Sequence, residues 1–448
     1  MKYINFSITA LSLLALTGCS SMSNLWLGDD KKEKLVGERL IVYPSVFSTS
    51  IDESYKGTLI SIPQAQNINE IKSSNGINSV LFPNLTFAAN FKKSKEFSFR
   101  GSDTFSSITQ PILFDNQIII LDSAGKLLAY DLDSNKKLWE TAELRKKSSA
   151  GLFHISPDFY HGGITLKDNI LFVTLGLNTI TAINADDGSI IWSKEIASPT
   201  RSTPAIANDL LFVQTLDNST YALNAKTGEI VWAHYGVKSD VSTVETSSPV
   251  VVSNIVLVQY SSGEIVGIET TTGNELMSLS NNSGLERLGA HKQFHSVVHK
   301  IILEGSLLIF YDNEGIVSAL NLKDGKQLWS NKLGFNKPLW SCGELAIGIN
   351  ESKELIAFNK YDGRIKWQTN LKLFEDQKNK HNTVWSEPIV GNNKILIVNS
   401  QGHLLEFDIN SGEKLFQREV IKNVMTAPII FNGKLYLISN NGKIVEYS

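Results

Sequence analysis

Tyr221-Ala222-Leu223-Asn224-Ala225-Lys226-Thr227-Gly228-Glu229-Ile230-Val231-Trp232 reads as a strand, a tight turn and a second strand. The apolar runs on either side suit a pleated, half-buried surface. Gly228 supplies the positive φ that a tight turn demands. Trp232, four residues on, is placed to bury a large ring between neighbouring sheets, worth about 2–3 kcal/mol.

The same unit recurs along the chain. Leu127-Leu128-Ala129-Tyr130-Asp131 runs to Trp139, Thr181-Ala182-Ile183-Asn184 to Trp192, and Val266-Gly267-Ile268-Glu269 to Met277. Ser318-Ala319-Leu320-Asn321 runs to Trp329, Ile356-Ala357-Phe358-Asn359 to Trp367, and Leu405-Glu406-Phe407-Asp408 to Phe416. The closing residues lie 38 to 53 residues apart. Gly188, Gly228, Gly273, Gly325, Gly363 and Gly412 each precede one by four residues, and Asn135 takes that place in the first unit. Strand-only repeats of about 45 residues indicate propeller blades of four strands.

A further unit starts at Ala427-Pro428-Ile429-Ile430 and reaches Tyr447, without its glycine and ring. The expected fold is therefore all-β: an eight-bladed β-propeller of four-stranded antiparallel blades. A ring cannot leave a long sheet edge open, so a segment within Leu85 to Phe99 is expected to supply the missing outermost strand. The other reading is seven blades, with the last unit as a cap.

The chain has 448 residues, 42% hydrophobic and 19% charged, with a formal net charge of −3. That balance suits a packed core and argues against a nucleic-acid binder, which needs a basic surface. Lys2 and the apolar run from Ile4 to Leu16 fit a secretory signal peptide and fall short of a membrane span. Leu16-Thr17-Gly18-Cys19 resembles the bacterial lipobox. The resemblance implies cleavage after residue 18 and acylation of the Cys19 thiol and amine, and Ser20 implies release to the periplasmic face of the outer membrane. Several acyl chains make a stable anchor. The expected domains are 1–18 signal peptide, 19–84 lipidated tether and irregular segment, and 85–448 propeller. With Cys19 acylated, Cys342 has no disulfide partner and reads as a buried small residue.

The repeats, an Asp or Asn, then Gly, then three residues and Trp, resemble those of quinoprotein-like propellers. With the lipobox in front, the chain resembles the BamB family of outer-membrane β-barrel assembly lipoproteins. Gly37-Glu38-Arg39 before Leu40-Ile41-Val42 is similar to the alphaproteobacterial members. The resemblance implies a non-catalytic scaffold whose inter-blade loops contact periplasmic domains of BamA, the barrel-inserting subunit. Family members use an arginine in one loop and acidic residues in the next. Arg201 matches, beside Thr200, in Pro199-Thr200-Arg201-Ser202-Thr203-Pro204. In the next loop the family's two acids fall on Val244 and Thr246, with Glu245 between them. Unfolded outer-membrane proteins are a further expected partner, with no residue assigned.

Two other readings stay open. One is a quinone-dependent periplasmic dehydrogenase, which would need a calcium ion held by six to eight oxygens. Asp131, Asp186, Asp187, Asp324, Asp362 and Asp408 all fall in turns, where turn chemistry explains them. The other is an unrelated envelope propeller with another partner. His291, His295 and His299, spaced by four, have the ligand type for zinc, but a polar inner strand or inter-blade loop is the favoured explanation, and no cofactor or metal is expected.

Overall fold

The computed structural model describes residues 50–75, 83–88, 91–99, 109–144, 162–200, 202–237, 247–262, 264–280, 301–312, 315–376, 383–424 and 426–448. Among these, the strands form eight four-stranded antiparallel sheets. Seven blades are continuous in sequence, at 112–140, 163–195, 205–235, 250–280, 302–332, 340–370 and 389–419. The eighth joins Ile429–Phe431, Lys434–Ser439 and Lys443–Tyr447 to the N-terminal strand Lys93–Ser98, which pairs antiparallel with Lys443–Tyr447. The missing strand therefore comes from the expected segment, and the seven-bladed reading falls.

The core follows the ring. Each of eight apolar clusters straddles one seam between consecutive blades. Ile112 and Ile119 of blade 1 meet Ile164 and Val173 of blade 2, and so on round to Phe97 and Ile438 of blade 8, which meet Leu113 and Ile120 of blade 1.

The repeat residues act across seams. Trp139, Trp192, Trp232, Trp329 and Trp367 donate their indole N–H to a carbonyl of the next blade, Ala185, Ala225, Thr270, Lys360 and Ile409 respectively, at 2.9–3.1 Å. Three residues beyond each carbonyl stands Gly188, Gly228, Gly273, Gly363 or Gly412. A Cβ on any of these would come within 2.6–2.8 Å of the indole, or 2.3 Å at Gly412. Each ring thus packs on the turn glycine of the following blade.

The outer strand of each of these seven blades carries a register shift just before the ring position. A bulge of this kind re-aims the following side chain. It turns Leu138, Ile191, Val231, Leu276, Leu328 and Leu415 outward, where they are exposed. In blade 6 the bulge residue is Lys366, which is buried.

Residues 52–75 account for that burial. This segment runs along blades 6, 7, 8, 1 and 2 in turn. Asp52 N donates to Ile365 O (3.0 Å), and Lys366 Nζ donates to the carbonyls of Tyr55 and Thr58. The carbonyl of Ser61 lies against Gly343. Asn84 Nδ2 bridges Pro63 O (2.9 Å) and Asn393 Oδ1 (2.7 Å). Asn432 N donates to Ile68 O (2.8 Å). Ile71 and Ser73 form β-bridges with Leu113 and Thr165, on the inner strands of blades 1 and 2.

Candidate partner-binding face

In a four-stranded antiparallel blade, the inter-blade loops share one face with the turns between the second and third strands. The loops of interest, 196–204 and 236–249, flank blade 3 on that face. Pro199 and Thr200 are stapled on both sides. Thr200 N donates to Leu177 O of blade 2 (3.0 Å), and Leu216 N of blade 3 donates to Pro199 O (2.9 Å). On the far side of Arg201, Ser202 O accepts from Thr174 Oγ1 (2.7 Å), and Thr203 N donates to Ser248 Oγ of the next loop (3.1 Å). Asn218 Nδ2 donates to Val237 O (2.7 Å), while its Oδ1 accepts from Ser261 N and Oγ (3.0 Å each).

The seam beneath is equally fixed. The Tyr260 hydroxyl sits between Thr220 Oγ1 (3.0 Å) and His234 Nδ1 (2.7 Å), with the two rings stacked. Burial pushes the Tyr260 phenol far above its usual range, so it stays protonated. Blades 2, 3 and 4 therefore present their loops on prearranged stems, which lowers the ordering cost of binding.

Arg201 and Glu245 lie outside the described residues, as do Cys19 and the histidines at 291, 295 and 299. Thr200 needs correction as a contact residue: it is fully buried, so its side chain supports the loop and does not face a partner. Its Oγ1 has no hydrogen-bond partner among the described residues. Cys342 is buried, and burial pushes its thiol up to about 11, which leaves no nucleophilic thiolate near neutral pH.

The aspartates of the repeats serve turns. Asp131 Oδ1 accepts from Ser134 N, Asp187 Oδ1 from Ser189 N, Asp324 Oδ1 from Lys326 N, and Asp408 Oδ1 from Asn410 N and Ser411 N. Among the described residues, no three His, Cys, Asp or Glu side chains are grouped to hold a metal.

A cavity of 390 Å³ opens beside the inner strands of blades 2, 3 and 4, a feature for which the sequence carried no signal. Its described lining includes Lys72, Lys167, Thr165, Ser248, Ile206 and Val251 and no carboxylate. A calcium-held quinone does not fit this donor set.

A closed ring of eight blades, latched from tryptophan to glycine at five seams, defines a propeller of the quinoprotein-like repeat class. The family model described as outer membrane protein assembly factor BamB matches residues 123–369 and 291–448. The chain belongs to the BamB family. It is 27% identical to an uncharacterized protein of Rickettsia conorii over 352 residues, 75% of this chain and 81% of that one. It is 26% identical to outer membrane protein assembly factor BamB of Escherichia coli K12 over 325 residues, 71% of this chain and 79% of that one. The crystal structure of BamB from Moraxella catarrhalis superposes with a TM-score of 0.65 at 17% identity, covering 80% of this chain and 100% of that one. A quinohemoprotein alcohol dehydrogenase from Comamonas testosteroni shares the fold, with a TM-score of 0.61 at 10% identity over 86% of this chain and 81% of that one.

Proposed function

We propose that the chain is a non-catalytic scaffold of outer-membrane protein assembly. An acylated Cys19 anchors it to the periplasmic face of the outer membrane. The loops that carry Arg201 and Glu245 hold periplasmic domains of a BamA-like barrel-inserting subunit. The family match over most of the propeller carries this reading. The pinned residues Thr200, Ser202 and Thr203 support it, because prearranged stems lower the ordering cost of binding.

Co-purification from gently solubilised membranes tests the reading. Wild-type chain should recover a large barrel protein with periplasmic domains, and Arg201→Glu should lower that recovery roughly tenfold or more through like-sign repulsion at the contact. Recovery of no barrel protein, or a quinone absorbance in the purified chain, would overturn it.

A further inference from the structure

Leu59 and Leu373 are the two most exposed large apolar side chains among the described residues, at 90% and 73%. Both flank the outer strand of blade 6, Ile365–Asn370. Thr58, just before Leu59, is held to that strand by the Lys366 ammonium, which donates to its carbonyl and its hydroxyl. Leu373 lies in the short 3-10 turn Leu371–Phe374 that follows the strand. Tyr361 in the turn before it, Leu328 on blade 5, and Leu415 and Phe416 on blade 7 are exposed as well. These residues adjoin. The Trp329 indole, next to Leu328, reaches Lys360 O beside Tyr361 (3.1 Å), and Lys414 Nζ sits 4.8 Å from the Phe374 ring centre. A contiguous apolar stretch of this kind marks an interaction surface.

Charge separates this part of the rim from the part on blades 2 to 4, where Ile190, Ile191, Ile230, Val231 and Leu276 are also exposed. The outer strands of blades 2 to 4 with the turns before them, at 185–195, 225–235 and 270–280, carry two basic residues, Lys194 and Lys226. Against these stand five acidic ones, Asp186, Asp187, Glu195, Glu229 and Glu275. The matching stretches of blades 5 to 7, at 322–332, 360–370 and 409–419, carry eight basic and four acidic residues. Lys360 and Lys366 of the eight are buried, while Lys326, Arg364 and Lys414 are exposed. The Arg418 guanidinium lies over the Phe416 ring, 5.0 Å from its centre. Basic heads on apolar stems beside exposed leucines and rings suit the interface of an anionic bilayer. The chain's own connection points the same way. Asp52 N donates to Ile365 O (3.0 Å), so the N-terminal segment joins the ring at this same strand of blade 6. Cys19 precedes Asp52 by 33 residues, which span at most about 110–120 Å. An anchor so linked makes docking of this rim an intramolecular event at raised effective concentration.

We propose that the outer rim of blades 5 to 7 docks on the phospholipid surface that holds the anchor. Leu59, Leu373, Leu415 and Phe416 enter the headgroup region, and Lys326, Arg364 and Lys414 meet lipid phosphates. In a ring of eight, blade 2 stands opposite blade 6, so the loop at 196–204 is held on the side away from the membrane. The proposal rests on the anchored-scaffold reading and gives that scaffold its orientation.

The test uses the acylated mature protein in vesicles of phosphatidylethanolamine and phosphatidylglycerol. Leu59→Cys, Leu373→Cys and, on the acidic part of the rim, Val231→Cys each carry an environment-sensitive dye; Cys342 is buried and does not compete for it. Brominated acyl chains should quench the dye at 59 and 373 at least about fivefold more than at 231. In a chain with both Leu59→Glu and Leu373→Glu, quenching of a dye at Leu415→Cys should fall roughly fivefold or more, because charged side chains resist leaving water. Flotation with the vesicles reports the anchor separately. A chain that does not float overturns the anchored reading and the rim contact with it. A chain that floats with equal quenching at all three sites, or with quenching at 415 unmoved by the two glutamates, overturns the rim contact alone.

Discussion

Gly412 and Gly325 hold the same place in their blades and meet different neighbours. Both take a positive φ, +71° and +66°. A Cβ at Gly412 would lie 2.3 Å from the Trp367 ring, whereas one at Gly325 would meet only Leu279 Cδ2, at an ordinary 3.5 Å. The difference comes from the blade before. Met277 leaves the blade 4 to blade 5 seam without an indole and packs instead on Gly267 opposite it, where a Cβ would come 2.5 Å from Met277 Cγ. Left-handed alanine costs about 1–2 kcal/mol, and forced contact in a packed seam adds ~1–3 kcal/mol. Gly412→Ala should therefore lower stability by about 2–5 kcal/mol, and Gly325→Ala by only about 1–2 kcal/mol. Urea denaturation of both variants against wild type checks this; equal losses would show that φ alone sets the glycine requirement.

The strand Lys93–Ser98 closes the ring with a residue type the repeat did not announce. Opposite Glu446, at the place where other blades carry a ring, stands Lys95. Its ammonium donates to the carbonyl of Leu132, three residues before Asn135. That is the carbonyl an indole N–H reaches at five other seams. Asn135, at φ 58°, sends its Nδ2 to Glu96 O (3.1 Å). The spacing of glycine and ring made seven blades and the need for a clasp readable. Lys95 was not readable, because its role depends on a partner in another blade. Nor was Thr200, whose burial depends on turns in two blades. Glu96 sits between Lys93 and Lys443, at 2.7 Å from each. Hydrogen bonds from Lys443 and then Lys93 pull its carboxyl down from 4.5 to about 2. A depressed folded-state value stabilises above the unfolded value, and the effect is lost as pH falls through the folded one. The clasp should therefore weaken between pH 4.5 and about 2. The gap in thermal midpoint between wild type and Glu96→Gln should be full near neutrality and close towards the bottom of that window. A constant gap across it would mean that the ion pairs do not hold the clasp.

At the scale of the whole ring, the N-terminal segment adds a second closure. The clasp joins blade 8 to blade 1 through one strand, while residues 52–75 touch five consecutive blades, 6 to 2, and span that joint. The contacts on blades 1 and 2 are largely backbone bonds to inner-strand edges, at Ile71, Lys72 and Ser74, and such bonds leave no signature in the residue types. On blade 6 the contact does have a residue signature, at Lys366. Six blades expose an apolar bulge residue, and blade 6 places a lysine there. Its ammonium donates to Tyr55 O (3.3 Å), to Thr58 Oγ1 (3.2 Å) and to Thr58 O, and it lies 4.8 Å from the Tyr55 ring centre. Hydrogen bonds from a charged donor contribute about 1.5–3 kcal/mol each when buried. Methionine keeps the apolar stem and removes the donors, leaving the Tyr55 and Thr58 carbonyls to find water. Lys366→Met should therefore free the start of the segment while the blades stay folded. Hydrogen exchange followed by mass spectrometry should show residues 52–62 exchanging at least about tenfold faster, matching a loss of some 1.4 kcal/mol, with the blade 6 strands Leu345–Ile349 and Glu354–Asn359 unchanged. Equal protection of the segment in wild type and variant would show that its backbone pairing further along, at Ile71 and Ser73, holds it without the lysine.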